Sequence, residues 1–208
     1  ANAKVLLTTF SIALARSLRR KLDCLIGNEP TVRDRIAVRA IDEVGIEQYE
    51  AAFGTPKVLT PKMLQTLLKT ASDAAMPHPY GLAFLESEWN EVVDAWQLDT
   101  WEAYSGVPRL GRKSRLGEKQ RRTLWTIFDR VRKDMAENGI VTIPIVFAAA
   151  TQHIAAGGKS PADFVVVDEA QDISVPQLRF LAAVAGAKEN GLFFAGDLGQ
   201  RIFQTPFS

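Results

Sequence analysis

The chain has 208 residues, is 47% hydrophobic and 24% charged, and carries a formal net charge of +1. That length and balance fit a globular chain able to bury a sizeable core, and no apolar run is long enough to cross a membrane as a helix. A single cysteine, Cys24, excludes an internal disulfide framework, and with only two histidines there is no ligand set of zinc type.

In chain order, Val5-Leu-Leu-Thr-Thr9 is an apolar run that predicts a strand, ending at Phe10-Ser11. A helix is expected next, with Ile12, Ala15, Leu18, Leu22, Leu25 and Ile26 on one face and Gly27 as its stop. A strand followed by a basic helix is not the pattern of a signal peptide. A second strand is expected between Arg35 and Ile41, where Ile36, Val38 and Ala40 alternate. From about Tyr49 to Asn138 the periodicity is helical throughout, broken at Thr60-Pro61, Pro77-His-Pro79 and Gly106-Val-Pro108. Trp89 and Trp96 share a helical face there and read as packing residues. His78 lies between two prolines and His153 in a helix, neither with a catalytic partner in sequence.

The same helical block holds a basic run: Arg109, Arg112, Lys113, Arg115, Lys119, Arg121 and Arg122, against Glu118 alone. Beside Trp101, Tyr104 and Trp125 it is a candidate track for a nucleic-acid backbone, whose grip should weaken sharply with salt. A solvated turn and the start of an amphipathic helix would give the same charges.

Sheet character resumes at Phe164-Val-Val-Val167, which runs straight into Asp168, Glu169 and Asp172. Four apolar residues between turn formers read as a strand buried on both faces of a parallel sheet, a strand type that delivers ligand-binding residues at its carboxyl end. An acidic residue there suits Mg²⁺ held through water, and an adjacent carboxylate suits orientation or deprotonation of an attacking water. Asp168 fits the first role and Glu169 the second. Capping of the helix near Val175-Pro176 is the alternative for these acids. Asp172 reads as a cap or a supporting residue more readily than as a metal ligand.

A second strand, Gly191-Leu-Phe-Phe-Ala-Gly196, ends in Asp197 and is followed by Gln200. Between the two acidic strand ends, Gln177 to Ala185 supplies a helix and Gly186 its stop, so the segment reads as strand, helix and parallel return strand. A neutral amide such as Gln200 at that place can hydrogen-bond a terminal phosphate or the attacking water.

Together, Asp168-Glu-Ala-Gln-Asp172 and Gly196-Asp-Leu-Gly-Gln-Arg-Ile-Phe203 resemble motifs II and III of the UvrD/Rep-like superfamily 1 DNA helicases. Val5 to Ala15, with its Thr-Phe-Ser, resembles motif Ia. The resemblance implies an α/β fold: an incomplete RecA-like parallel sheet of the P-loop NTPase type, with an inserted α-helical subdomain. The sheet layer is expected from residues 1–48 and 141–208 and the insertion, similar to the subdomain called 1B, from 49–140.

By the same resemblance, Asp168 serves Mg²⁺, Glu169 and Gln200 are catalytic, and Asp168, Glu169, Asp197 and Gln200 line the nucleotide. Thr9 and Ser11 touch the DNA backbone, and Phe10 and Phe203 lie near the bases. Hydroxyls and helix N-termini do bind phosphate, and aromatic faces stack on bases regardless of sequence. Arg112, Lys113 and Arg115 are the basic-run candidates for DNA. The implied cofactors are ATP and Mg²⁺. The implied partner is single-stranded or partly duplex DNA, acted on in the cytoplasm, at the nucleoid in a bacterium, with no membrane.

Two departures stand out. No Gly-x-x-x-x-Gly-Lys-Ser/Thr run occurs in the chain, so the phosphate cradle of these enzymes is not among its residues. Phe203-Gln-Thr-Pro206 stands where the family often has Tyr-Gly-Trp-Arg. The expectation is a piece of a longer motor, inactive alone. The alternatives are a non-catalytic DNA-binding or protein-interaction module derived from a helicase, or a helicase fused to a nuclease or repair domain.

Overall fold

A computed structural model describes residues 3–108 and 115–197 of the chain. The chain divides into two compact units, one from residues up to Pro56 together with those from Val146 onward, the other from Lys57 to Ile145.

The first unit is built on a parallel sheet. β1 (Val5–Thr9), β2 (Ile36–Ala40), β5 (Phe164–Val167) and β6 (Leu192–Phe194) lie in the order β2-β1-β5-β6. Thr8 sits opposite Arg39 on one side and Val167 on the other, and Val167 opposite Phe194, so the carboxyl ends of β1, β5 and β6 come out level. The crossover through α1 (Ile12–Ile26) leads from β1 to β2, and the one through α9 (Val175–Ala185) leads from β5 to β6. They depart in opposite directions, so right-handed connections place α1 and α9 on opposite faces. The gap between β1 and β5 is therefore a topological switch point, the place in an open α/β sheet where ligands bind.

Expected and observed strands coincide, but burial differs in β5. Val165 and Val167 are buried while Phe164 and Val166 are only half-buried, so the strand alternates instead of being sealed on both faces. β6 is an edge strand among the described residues, with Phe193 and Phe194 exposed. α3 (Ile41–Phe53) packs near α9, where Gln177 Nε2 donates to Asp42 Oδ1 at 2.8 Å. Gly45 in α3 leaves room for Phe147 of α8 (Ile143–Ala155), since a Cβ there would stand 2.4 Å from its ring. Phe147 meets Phe180 edge to face at 5.3 Å. A short helix, α2 (Pro30–Arg33), precedes β2.

The second unit is a helical block around its own core. α4 (Pro61–Asp73) contributes Leu64 and Leu68, α5 (Leu82–Glu88) Leu85, α6 (Trp101–Gly106) Tyr104, and α7 (Glu118–Glu137) Leu124, Ile127, Phe128, Val131 and Met135. The α7 residues recur at helical spacing and form one apolar stripe.

The sequence predicts helix alone across this stretch, and three differences emerge. β3 (Lys57–Val58) pairs in parallel with β4 (Ile140–Val141) and ties the block's ends together. Trp89 to Asp94 is a π-helix, which shifts the register of side chains beyond it. Trp96 is consequently 37% exposed while Trp89 is 2% exposed, so the two do not share a packed face.

Candidate functional site

At the level end of the sheet, β1 and β5 are laced through the backbone: Asp168 N donates to Thr8 O at 2.8 Å. β6 continues the ladder, with Ala195 N on Val167 O at 2.8 Å and Ala170 N on Ala195 O at 2.9 Å. Asp168 and Glu169 are thus held at the switch point, both half-buried. Glu169 is left-handed, with φ 54° and ψ 46°, a conformation that costs a non-glycine residue on the order of 1 kcal/mol. The chain then closes a 3₁₀ turn over Ala170–Asp172.

That turn brings Gln171 back beneath Glu169. Gln171 is only 5% exposed. Its Nε2 donates to Glu169 Oε2, and its Oε1 accepts from Asp197 N at 3.1 Å. The sequence singles out the acids around Gln171 and passes over Gln171 itself; its signal was a buried-type amide inside an acidic strand end.

Asp172 does not cap α9. Ser174 does, with its N and Oγ on Gln177 Oε1 at 2.8 and 2.9 Å. Both carboxylate oxygens of Asp172 are buried and meet no hydrogen-bond partner among the described residues.

The candidates following β1 separate. Thr9 is 0% exposed and its hydroxyl has no partner among the described residues, so it is placed as an interior hydroxyl and not a surface one. Ser11 caps α1, its Oγ accepting from Leu14 N at 3.1 Å. Phe10 is half-buried between them. Asp197 is exposed at the end of β6. Gln200 and Phe203 lie outside the described residues, as do Arg112 and Lys113.

In the helical unit, two members of the basic run are structural. Arg121 Nη1 donates to the carbonyls of Tyr104, Ser105 and Val107 at 3.0, 2.8 and 3.1 Å, satisfying the end of α6. Arg122 lies 4.3 Å over the Trp101 ring and bonds Glu118 at 3.0 Å. Arg115 and Lys119 are exposed. Trp125 stacks on Tyr104 at 5.6 Å, as a packing residue. His78 accepts Tyr80 N at Nδ1 and meets Ser72 Oγ at Nε2, a closed local set.

Asp94, next to a cavity of about 380 Å³, is the strongest electrostatic perturbation in this unit. Burial pushes its carboxyl up to about 6, against the opposing pull of Thr142, whose Oγ1 donates at 2.6 Å, and of the Arg132 charge.

An acid-ended central strand beside a switch point, in a parallel sheet carrying a separate helical unit, defines a RecA-like α/β domain with a helical insertion. The profile of the UvrD/REP helicase N-terminal domain matches residues 1–205, and the chain belongs to that family. A search of curated proteins returns no match. Helicases of this family work with ATP and Mg²⁺ and on nucleic acid, and among the described residues no helix is long and apolar enough to cross a membrane.

The described residues fit that cation. Asp168 is half-buried at the carboxyl end of β5, its backbone N–H held by Thr8 O at 2.8 Å, and among the described residues no group of three metal-ligating side chains is arranged to hold an ion alone. A carboxylate at a sheet end suits Mg²⁺, which keeps several waters and takes further oxygens from phosphates.

Proposed function

We propose that this chain is the N-terminal motor domain of an ATP-dependent DNA helicase, which couples ATP hydrolysis to movement along single-stranded DNA and to duplex unwinding in repair or replication. The observation that carries this reading is the pair Asp168 and Glu169 at the β1/β5 switch point, with β6 level beside them.

In this reading Asp168 holds Mg²⁺ through water, and the ion neutralises charge on the phosphates. Glu169 takes a proton from the attacking water as its oxygen bonds the γ-phosphorus and the bond to the β-phosphate oxygen breaks. Gln200 reports the γ-phosphate, and Asp197 borders the same site. Ser11 and Phe10 meet the DNA at the β1 end, Phe203 meets a base, and Arg112, Lys113 and Arg115 track the backbone from the helical unit. The sheet-bearing unit corresponds to the motor sheet and the helical unit, Lys57 to Ile145, to the 1B-like insertion. The phosphate cradle is supplied from outside these 208 residues, so turnover belongs to the complete protein, working in the cytoplasm.

The test is the ATPase rate of the complete protein with and without single-stranded DNA. Strong stimulation by DNA supports the motor. No turnover in either condition sinks it in favour of a binding module that retains acidic strand ends as inherited architecture.

A further inference from the structure

We infer that Gln171 is a positioning residue for the hydrolytic step, the link through which the backbone at Asp197 and the carboxylate of Glu169 are held in register. The inference rests on the catalytic role proposed for Glu169.

The hydrogen-bond chemistry fixes which way the Gln171 amide points. A backbone N–H only donates, so Asp197 N demands the carbonyl oxygen, and the NH₂ group is left facing the carboxylate, which only accepts when ionised. Both ends of the amide are thus satisfied in a residue 5% exposed. Such a buried, two-sided bond is expensive to break, because each partner would be left unpaired. Among the described residues the bond reaches one oxygen of Glu169, Oε2.

The neighbouring backbone is shaped around this amide. A Cβ at Gly196 would lie 2.4 Å from Gln171 Oε1 and 2.9 Å from Ala170 N, so a side chain at 196 and Gln171 in this place are incompatible. The left-handed Glu169 and the 3₁₀ turn are what bring residue 171 back beneath 169. A shift of the segment after β6 therefore pulls on Gln171 and, through it, on Glu169.

The test uses the complete protein and the variants Gln171→Leu and Gln171→Glu. Leu fills the volume but makes neither bond. Glu keeps an acceptor for Asp197 N and sets a second carboxylate against Glu169. Both are expected to lower kcat about tenfold to a hundredfold, the scale on which removing a group that orients a functional ligand is felt, with KM for ATP changed less than about threefold. In Gln171→Leu the Asp197 amide should lose its protection from hydrogen exchange, and in Gln171→Glu it should keep it. Combined with Glu169→Gln, neither variant should reduce turnover further, since residues acting as one unit are not additive.

Retained kcat in Gln171→Glu, or full additivity with Glu169→Gln, would overturn the inference. If the unsubstituted protein hydrolyses no ATP, the motor reading fails, and amide exchange still decides the link: unchanged protection at Asp197 in Gln171→Leu overturns it. If Leu does not fold, Glu carries the kinetic test by itself.

Discussion

In the helical unit, the Tyr104 hydroxyl donates to a fully buried Glu88 at 3.0 Å, Thr142 donates to Asp94, and Arg132 Nη1 closes on the Leu98 carbonyl at 3.1 Å. At the carboxyl end of the sheet in the other unit, Asp172 and Thr9 have buried oxygens without a partner among the described residues, and Glu169 sits in left-handed backbone. Polar side chains in the first case join a packed core, although Glu86 Oε1 and Trp89 Nε1 are buried there without a partner among the described residues and Gln97 is left-handed. Orphaned atoms and backbone strain therefore occur in both regions. What makes the sheet end the candidate site is that they gather there around Asp168 and Glu169, at the carboxyl ends of β1 and β5 where the strand order reverses.

The sharpest way to separate the two regions is to damage each in turn. Phe128 is completely buried in the helical core, and Phe128→Ala should cost about 3–5 kcal/mol, read from denaturant unfolding of this unit. A loss below about 1 kcal/mol would mean that this block is not the stabilising core described. Glu169→Gln should do the reverse: little change in unfolding, ATP binding kept, and turnover of the complete protein cut at least about a hundredfold, or about 2.7 kcal/mol of barrier. Undiminished turnover would remove Glu169 from its role.

A subtler difference is expected in pH dependence. Asp94 has its folded pKa raised to about 6, so the native state holds its proton more tightly than the unfolded chain. The favourable contribution is complete below the ordinary carboxylate value near 3.8 and is lost as pH rises through 6. Between pH 4 and 7, Asp94→Asn should therefore gain on the unsubstituted chain by on the order of 2–3 kcal/mol, measured as the difference of the two unfolding curves. Parallel curves would mean that Asp94 ionises in the fold as readily as outside it. The smallest effect concerns Ser11, at the boundary of structure and function. Ser11→Ala should cost about 1 kcal/mol through loss of the α1 cap. Ser11→Asp keeps the cap, so if Ser11 also meets a DNA phosphate it should fold normally and bind single-stranded DNA more weakly. Equal DNA affinity in Ser11→Asp would leave Ser11 a cap alone.

Much of the motor sheet is legible from residues 5–11 and 163–197, because an apolar run ended by acids or hydroxyls has few other structural solutions, and the Gly27 and Gly186 stops mark where α1 and α9 end. The helical block is legible as helix but not in detail. Its π-helix and its two-residue strands leave no periodic trace, and the slipped register exposes Trp96 where even helical spacing would bury it. The basic run shows the same limit from the side of function. Charge is visible in sequence, whereas the use of Arg121 to satisfy the end of α6 and of Arg122 to cover Trp101 depends on where other segments bring their carbonyls and ring.

By itself the sequence determined the family, the parallel α/β character and the acids at the end of the β5 segment, since these follow from local pattern and motif order. Tertiary structure alone decided the strand order that makes a switch point of β1 and β5, the burial of Thr9, and the place of Gln171 between Glu169 and Asp197. Those features depend on hydrogen bonds and close approaches between segments far apart in the chain, and no local pattern encodes which distant backbone group a buried amide will meet.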